Sequence, residues 1–432
     1  MDKKINSIKN KKIKGKFIPP PDKSISHRSI IFSAIGNGNS HIYNLLTAKD
    51  CKKTIDAFRQ LGIKIKWDKN EHIVEGKGLD GLTKTTDIID CGNSGTTIRL
   101  MTGLLAGQNN EYILDGDSSL RKRPMNRIIS PLRKMGANIQ GKNKDQYCPL
   151  QIFPSQLSGI KYKLPVASAQ VKSSILLANL YTNQETVIKE PKPSRNHTEI
   201  LMEYLGFNLN VKDNKISFKS KQNFKIPNSQ YRIPGDFSQA AYFITAALLV
   251  PGSELFIKNV NLNPTRIGFL KVVEQMGGNI KIVNKSLQQG ELQGDLLVKY
   301  SSLKGIKVNE DLIPQMIDEI PLIALLGIKA EGITEIYSAE ELRVKESDRI
   351  AVLRKAFNKL NLEISTFQDG FSVYGPQEIK NKAYLDPHLD HRMAMLFTLL
   401  ALISKNGAVL KDSQCINNSF PTYFEKLNEV IL

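Results

Sequence analysis

The chain has 432 residues, 41% hydrophobic and 24% charged, a composition that excludes a disordered or fibrous protein and allows two or three domains with large cores. Its formal net charge of +18 comes largely from Lys scattered among many Asn and Ile residues, so it is weak evidence for a nucleic-acid or membrane partner. Four widely separated cysteines, Cys51, Cys91, Cys148 and Cys415, form no CxxC pair; no zinc site or disulfide framework is indicated, which suits a reducing cytosol.

The N-terminal stretch MDKKINSIKNKKIKGKF is charged and has no apolar centre, so it does not read as a secretory signal. PDKSISHR (21–28) opens the first strong element. Pro-Asp followed by Ser24 is a helix start, the free N–H groups of a first turn attract anions, and Lys23 and Arg28 add full charges at the same end. RQLGIKI (59–65) then ends an amphipathic helix on a residue in the left-handed conformation and leads into a strand. The same ending recurs in RKMGANI (133–139), EYLGFNL (203–209), EQMGGNI (274–280) and NKLNLEI (358–364), where Asn361 takes the place of glycine.

A second series interleaves with the first. Apolar helices with polar openings follow at about Ser24, Ser94, Ser168, Asp236, Ile317 and Leu389. Both series recur roughly every seventy residues, which implies six α/β units, the last closed by the helix PTYFEKLNEVIL. The six opening helices are apolar on nearly all sides and are expected in the core, with sheets and amphipathic helices outside. The longest apolar runs, such as AAYFITAALLV (240–250), fall short of the roughly 20 residues that cross a bilayer.

The repeats divide into halves. FIPPPDKS (17–24) and RIPGDFS (232–238) share an Ile-Pro entry followed by Asp and Ser, and read as crossover strands near 18–21 and 232–236. The first lobe is then 20–234 and the second 1–19 plus 235–432, three repeats each. Two lobes joined in this way imply a cleft, a common place for ligands.

The helix openings hold an unusual set of side chains: Lys23, Ser24 and Arg28; Asn93, Gly95, Thr96 and Arg99; Ser168, Gln170 and Lys172; Asp236 and Ser238; Asp318 and Glu319; Asp390, His391 and Arg392. Two basic loops, LRKRP (120–124) and ELRVKESDR (341–349), join them. Any one of these alone reads as a cap or a surface pair. Their concentration at equivalent places in six repeats reads as a binding site rich in positive charge.

At these residues the chain resembles the enolpyruvyl transferases. PDKSISHR, GNSGTTIR, RKRPM, IDEIP, LRVKESDR, DHRMAM and SFP.YFEKL match that family in order, covering Pro21 to Leu427, and within it they resemble the branch whose acceptor is shikimate 3-phosphate. The resemblance implies a two-domain inside-out α/β barrel of six βαβαββ repeats, three per domain. It also implies a reaction: the enolpyruvyl group of phosphoenolpyruvate passes to the 5-hydroxyl of shikimate 3-phosphate through a tetrahedral intermediate, and phosphate leaves. Such a site needs acid/base groups and dense positive charge for two phosphates and two carboxylates.

Residue by residue, the resemblance assigns Lys23, Ser24, Arg28, Ser168, Gln170, Ser194, Asp318 and Lys345 to shikimate 3-phosphate. It assigns Lys23, Gly95, Arg123, Gln170, Arg349 and Arg392 to phosphoenolpyruvate. Asp318 is the implied proton acceptor and Glu346 the second acid/base carboxylate, with Lys23 also counted in the chemistry; Asn93 and Arg99 are expected to orient the Gly95 loop, with a structural ion pair as the equal alternative for Arg99. Three positions depart from the family pattern. Ala169 replaces a second serine, a loss that Ser168 and Lys172 are expected to offset; Glu341 stands where many members have asparagine, and Asn418 where many have lysine.

No metal or other cofactor is implied, because Arg and Lys supply the charge, and HLDH (388–391) reads as a helix opening. The implied partners are the two small anions, with no nucleic acid and no membrane, and the chain reads as a cytoplasmic monomer. Two alternatives compete. The sister enzyme that uses UDP-N-acetylglucosamine carries a reactive cysteine in the loop that here reads DSSLRKRPM (117–125), which has none. A nucleic-acid binder would add aromatic platforms, and the N-terminal lysines have no aromatic interleaving.

Overall fold

Six helices are buried around nearly their whole circumference and have no face to give to water: Lys23–Ala34, Gly95–Leu105, Ala169–Ala178, Phe237–Leu249, Ile320–Lys329 and His391–Ile403. The computed structural model describes residues 2–220 and 224–432; Met1 and residues 221–223, which fall within the two expected lobes, lie outside the described residues. Five of the six helices are capped by a side chain that accepts a first-turn N–H: Asp22, Ser94, Ser168, Asp236 and Asp390. The first therefore starts earlier than the expected opening at Ser24, because Asp22 Oδ1 accepts from Ile25 N at 2.9 Å. The fifth has no side-chain cap and begins after Glu319, with Pro321 in its first turn, so Asp318 sits in the turn before it.

The amphipathic helices Lys49–Gln60, Asn126–Lys134, His197–Tyr204, Gly268–Gln275 and Arg349–Lys359 end as the repeats predict. Gly62, Gly136, Gly206, Gly277 and Asn361 have φ of 83°, 100°, 88°, 88° and 56°, the left-handed turn that releases the chain into a strand.

The chain divides into two compact units: Pro21–Ile233 with Leu287–Glu291, and Met1–Pro20 with Pro234–Ser286 and Leu292–Leu432. The segment Leu287–Glu291, which the expected boundaries leave in the second lobe, groups with the first. There Glu291 Oε1 lies 2.6 Å from His197 Nδ1, and Gln289 bonds the backbone of Arg232 and Gln230.

In the first unit one sheet pattern occurs three times. Gln230–Arg232 runs parallel to Asn37–Tyr43, which pairs antiparallel with Glu71–Lys77, itself antiparallel to Lys64–Asp68. Ile89–Asp90 leads the sheet of Tyr112–Asp115, Tyr147–Phe153 and Asn138–Gly141 in the same way. Lys161–Lys163 leads Glu185–Lys189, Lys215–Lys219 and Leu209–Lys212. Each leading strand follows the preceding repeat in sequence, and the strand after the third repeat returns to the first, so the three modules close on one core.

The second unit varies the pattern. Lys14–Phe17 runs parallel to Glu254–Asn261, which pairs with Glu291–Lys299, next to Asn279–Gln288. Gly332–Ile336, Gly370–Gly375 and Ser365–Phe367 form a three-stranded sheet, with the parallel bridges Lys304↔Glu331 and Lys307↔Glu335 where a fourth strand would run. In the last sheet Ala383–Leu385 is parallel to Ala408–Leu410, and Lys3–Ile5 completes it antiparallel. The final repeat ends on the helix Tyr423–Val430, so the third strand comes from the N-terminal segment. Among the described residues no helix is long and apolar enough to cross a membrane.

The tightest helix contact in the first unit makes a stability prediction. A Cβ at Gly103, in the second buried helix, would stand 2.1 Å from the carbonyl oxygen of Ser174 in the third. Backbone cannot yield there as a side-chain tip can. Gly103→Ala is expected to lower the unfolding free energy by about 1–3 kcal/mol, the usual cost of overpacking. Urea denaturation reads this directly, and an unchanged midpoint with unchanged m-value would show that the two helices have room to part.

Candidate functional site

In the first unit the openings of the three buried helices are tied to one another. His27 Nδ1 lies 2.7 Å from Thr54 Oγ1, which lies 2.7 Å from Thr97 Oγ1, which donates to Ser94 Oγ at 2.7 Å. That chain joins the first opening to the second. Burial above all, with help from Lys23 and Arg28, holds His27 well below the usual histidine range, so its ring is neutral at physiological pH.

Arg28 joins the first opening to the third. Its Nε donates to Thr198 Oγ1 at 2.6 Å, its Nη2 to Ser173 Oγ at 2.8 Å, and its Nη1 to the carbonyl of Ser24 at 2.9 Å. Burial lowers the guanidinium to about 10 against the pull of Glu199 and Asp22, which leaves it charged at neutral pH. Gln170 joins the second opening to the third: its Oε1 accepts from Arg99 Nη1 at 2.6 Å and its Nε2 donates to Thr96 Oγ1 at 3.0 Å.

Gly95 is the first residue of its helix, and a Cβ there would stand 3.0 Å from Arg99 Nη1 and 3.3 Å from Arg123 Nη1. Glycine thus lets two guanidinium groups approach a helix N-terminus, where backbone N–H groups already favour an anion. Arg123 is steadied by Asn93, whose Oδ1 accepts from Nη2 at 2.6 Å and whose carbonyl accepts from Nη1 at 3.2 Å. Asn93 Nδ2 in turn donates to Asp117 at 2.9 Å. Lys23 Nζ lies 2.9 Å from Asp50 Oδ2.

Ser168 caps the third buried helix, Ala169 is its first residue, and the Ser194 hydroxyl donates to Glu190 Oε1. Lys172 is not available to offset the missing hydroxyl at position 169. Its ammonium is 1% exposed and committed to Glu190 Oε2 at 2.8 Å and Glu199 Oε1 at 2.6 Å. It lies four residues beyond the Ser168 cap and is buried, with its donors taken up by those carboxylates and the Ser194 carbonyl.

In the second unit Arg349 is the hub. Its side chain is wholly buried, with Nε 2.8 Å from Asp390 Oδ2, Nη1 3.2 Å from Asp318 Oδ1 and Nη2 2.6 Å from Glu346 Oε2. Burial opposes its charge, but Asp390, Glu346 and Asp318 outweigh burial and hold the guanidinium above its ordinary value. Asp390 is itself buried and accepts from Arg392 N at 2.9 Å as a helix cap, while Ser347 Oγ donates to its other oxygen at 3.1 Å.

Arg392 Nη2 reaches Asp318 Oδ2 at 3.4 Å, so Asp318 is bracketed by two guanidinium groups. Arg392 Nη1 is buried with no hydrogen-bond partner among the described residues. Tyr242 of the fourth buried helix donates to the Arg392 carbonyl at 3.1 Å, which ties the fourth opening to the sixth. Lys345 keeps some surface in solvent, yet protein crowds its ammonium. Burial lowers its pKa, against the attraction of Asp318, with Glu341 adding a smaller pull the same way. Asn418 closes the short turn Ser413–Asn418 and is half-buried.

Asp318, Glu346, Arg349 and Arg392 therefore form one hydrogen-bonded or ion-paired cluster, with Lys345 in its field. Gly95, Arg123 and Gln170 form a second through Arg99 and Asn93. Ser24 and Arg28 belong to a third that runs through Thr198 and Ser173. Those last two residues, with Glu190 and Glu199, escape a reading of the sequence. NHTEI (196–200) looks like an ordinary helix start, and nothing in its spacing announces a partner at Arg28. Among the described residues no group of three or more His, Cys, Asp or Glu side chains is placed to hold a metal ion. None of the four cysteines forms a disulfide, all are buried, and burial pushes the thiols of Cys148 and Cys415 up to about 11 and about 12.

A family model described as EPSP synthase (3-phosphoshikimate 1-carboxyvinyltransferase) matches residues 8–427. The chain is 46% identical over 422 residues to the 3-phosphoshikimate 1-carboxyvinyltransferase of Thermodesulfovibrio yellowstonii, covering 97% of each chain. It is similar to a solved structure of EPSP synthase from Acinetobacter baumannii, with a TM-score of 0.87, 38% identity and coverage of 99% of this chain and 98% of that one. The enolpyruvyl transferase NikO from Streptomyces tendae shares the fold at 14% identity, with a TM-score of 0.80 and coverage of 99% and 96%.

The Arg349 hub makes a second stability prediction. Arg349→Met leaves Asp390 buried without its guanidinium and removes the ion-pair partner of Glu346. The expected loss is about 3–5 kcal/mol, the cost of breaking one side of a buried pair. Denaturant unfolding at neutral pH measures it; a loss under about 1 kcal/mol would mean that Ser347 and the backbone satisfy Asp390 alone.

Proposed function

The chain belongs to the EPSP synthase (3-phosphoshikimate 1-carboxyvinyltransferase) family, and we infer that it transfers the enolpyruvyl group of phosphoenolpyruvate to the 5-hydroxyl of shikimate 3-phosphate and releases inorganic phosphate. This places it in aromatic biosynthesis. Of the geometry, the observation that supports the reading most is the second-unit cluster: two carboxylates, Asp318 and Glu346, against the guanidinium groups of Arg349 and Arg392. Proton-transfer groups sit beside fixed positive charge, and the buried Nη1 of Arg392 is a donor that an anionic ligand would satisfy.

In the proposed chemistry Asp318 takes the proton of the 5-hydroxyl as its oxygen bonds to C2 of the enol. Glu346 delivers a proton to C3, giving the tetrahedral intermediate. It takes that proton back as the C2–O bond to phosphate breaks and the double bond re-forms, while Asp318 gives the hydroxyl proton to the departing phosphate, so both carboxyls return to their starting states. Arg123, Arg349, Arg392 and Lys23 neutralise phosphoenolpyruvate, with Gly95 and Gln170 giving directional hydrogen bonds. Lys23, Ser24, Arg28, Ser168, Gln170, Ser194 and Lys345 hold shikimate 3-phosphate, and Asp318 also meets its ring hydroxyls. The helix N-termini add N–H dipoles fixed before substrate arrives, so the charge that develops needs no protein reorganisation.

The finer reading is of a cytoplasmic monomer that acts on small anions and binds no nucleic acid. Buried thiols that form no disulfide fit a reducing compartment, and Arg28 and Arg123 at the helix openings are held by hydroxyl, amide and carbonyl groups of the protein.

Phosphate release from phosphoenolpyruvate is expected with shikimate 3-phosphate and not with UDP-N-acetylglucosamine, and EDTA should leave the rate unchanged. Release driven by the nucleotide sugar would overturn the acceptor. A rate abolished by chelation and restored by a divalent cation would overturn the assignment of charge to Arg and Lys.

Asp318→Asn and Glu346→Gln preserve shape and hydrogen bonding while removing the proton acceptor. Each is expected to lower kcat by roughly 10²–10⁴-fold, the range for general acid–base groups, with KM for both substrates changed far less. Steady-state kinetics decide it: near-normal kcat in both variants removes these carboxylates from proton transfer.

A further inference from the structure

Lys172 is one of the largest fully buried side chains of the protein, yet neither the family pattern nor the chemistry above gives it a task. Its ammonium lies 2.6 Å from Glu199 Oε1 and 2.8 Å from Glu190 Oε2, and it donates to the carbonyl of Ser194 at 3.4 Å. All three side chains are at least 96% buried. Burial works against the ammonium, but Glu199 and Glu190 outweigh it, so it titrates above the ordinary lysine value and stays charged.

The partners explain why a charge is kept there. Glu190 follows the strand Glu185–Lys189, and Glu199 lies in the first turn of the helix His197–Tyr204. One ammonium thus staples both ends of the connection that carries Ser194. Its chain neighbours hold the rest of the half-site: Ser173, next to Lys172, and Thr198, next to Glu199, bond each other at 2.6 Å and together take two donors of Arg28. Ser168, the helix cap, lies one turn before Lys172.

The second consequence is electrostatic. The Ser194 hydroxyl donates to Glu190 Oε1, the oxygen that Lys172 does not touch. To donate to a phosphate oxygen, Ser194 must turn away from Glu190, and the carboxylate then depends on Lys172 alone. Without the ammonium, Glu190 and Glu199 would be two buried anions beside the place where a phosphate dianion has to bind.

We propose that Lys172 is the positioning residue of the acceptor-phosphate half-site, fixing the 190–196 connection and neutralising Glu190 and Glu199 so that Arg28, Ser168 and Ser194 can receive a phosphate monoester. This rests on the reading that those three residues bind the phosphate of shikimate 3-phosphate. Lys172 touches no substrate in this scheme. It acts on affinity for the phosphorylated acceptor and leaves the donor and the proton transfers alone.

The test is steady-state kinetics of Lys172→Met and Lys172→Met/Glu190→Gln, with shikimate 3-phosphate titration of each variant by calorimetry. The single variant is expected to raise the acceptor KM and Kd by roughly ten- to hundredfold, the weight of a hydrogen bond to a charged group, with phosphoenolpyruvate KM and kcat within about threefold of the parent. The double variant restores the net charge of the cluster and keeps an acceptor for Ser194, so it is expected to regain most of the lost affinity. If the single variant does not fold, the double variant carries the test: acceptor Kd within about tenfold of the parent supports the proposal, and a larger loss overturns it. Unchanged acceptor binding in Lys172→Met overturns it, and so does an equal rise of both KM values, the mark of a merely structural role. Arg28→Met separates this from the underlying reading. If Arg28→Met binds shikimate 3-phosphate normally, the half-site itself is misassigned; if it loses affinity while Lys172→Met does not, only the positioning role fails.

Discussion

A helix that is buried on every side offers its surroundings mainly its ends. Six such helices form the cores of this protein, and burial of their flanks is the constraint from which the rest follows. Sheets and amphipathic helices must lie outside them to shield the core. The only polar backbone groups such a helix presents freely are the N–H groups of its first turn and the carbonyls of its last. Placing Asp22, Ser94, Ser168, Asp236 and Asp390 as caps satisfies part of that need and locates polar residues at the openings.

The two units use those openings differently. In the first, cations are held mostly by neutral oxygens: Arg28 by two hydroxyls and a carbonyl, Arg123 by an amide and a carbonyl. Those two guanidinium groups are oriented by neutral oxygens, although Glu199 and Asp22 also attract Arg28, whereas Lys23 pairs directly with the Asp50 carboxylate. In the second unit Arg349 meets three carboxylates, two of which are the proposed proton carriers. There the guanidinium holds those three carboxylates in place. Arg392 has one buried nitrogen unmatched among the described residues, the donor assigned to the anionic ligand in the proposed reading.

Buried charge is costly unless it is paired and hydrogen-bonded, so every fully buried cation here has to be accounted for by the groups around it. Lys172 with Glu190 and Glu199, and Arg266 with Asp236, obey that rule inside the separate units. Both lie next to helix openings, those capped by Ser168 and Asp236, and for Lys172 the proposed role is to fix the backbone that carries Ser194. Precision of this kind is what electrostatic preorganisation needs, because a donor misplaced by an ångström loses most of its advantage.

Much was legible in the order of residues alone. The roughly seventy-residue period, the left-handed Gly or Asn endings at Gly62, Gly136, Gly206, Gly277 and Asn361, and the buried helices follow from local rules of conformation and burial, which a linear chain displays directly. The candidate site residues came instead from the resemblance of the motifs to a known family, not from those local rules. Pairings across long sequence distances could not be read there: Arg28 with Thr198, Gln170 with Arg99, Arg349 with Asp390. Nor could the fate of Lys172, a lysine at a helix opening by sequence and a buried staple in space. A side chain's charge is written in the sequence, but its partner and its access to solvent are set by which elements pack together, and that only the tertiary structure decides.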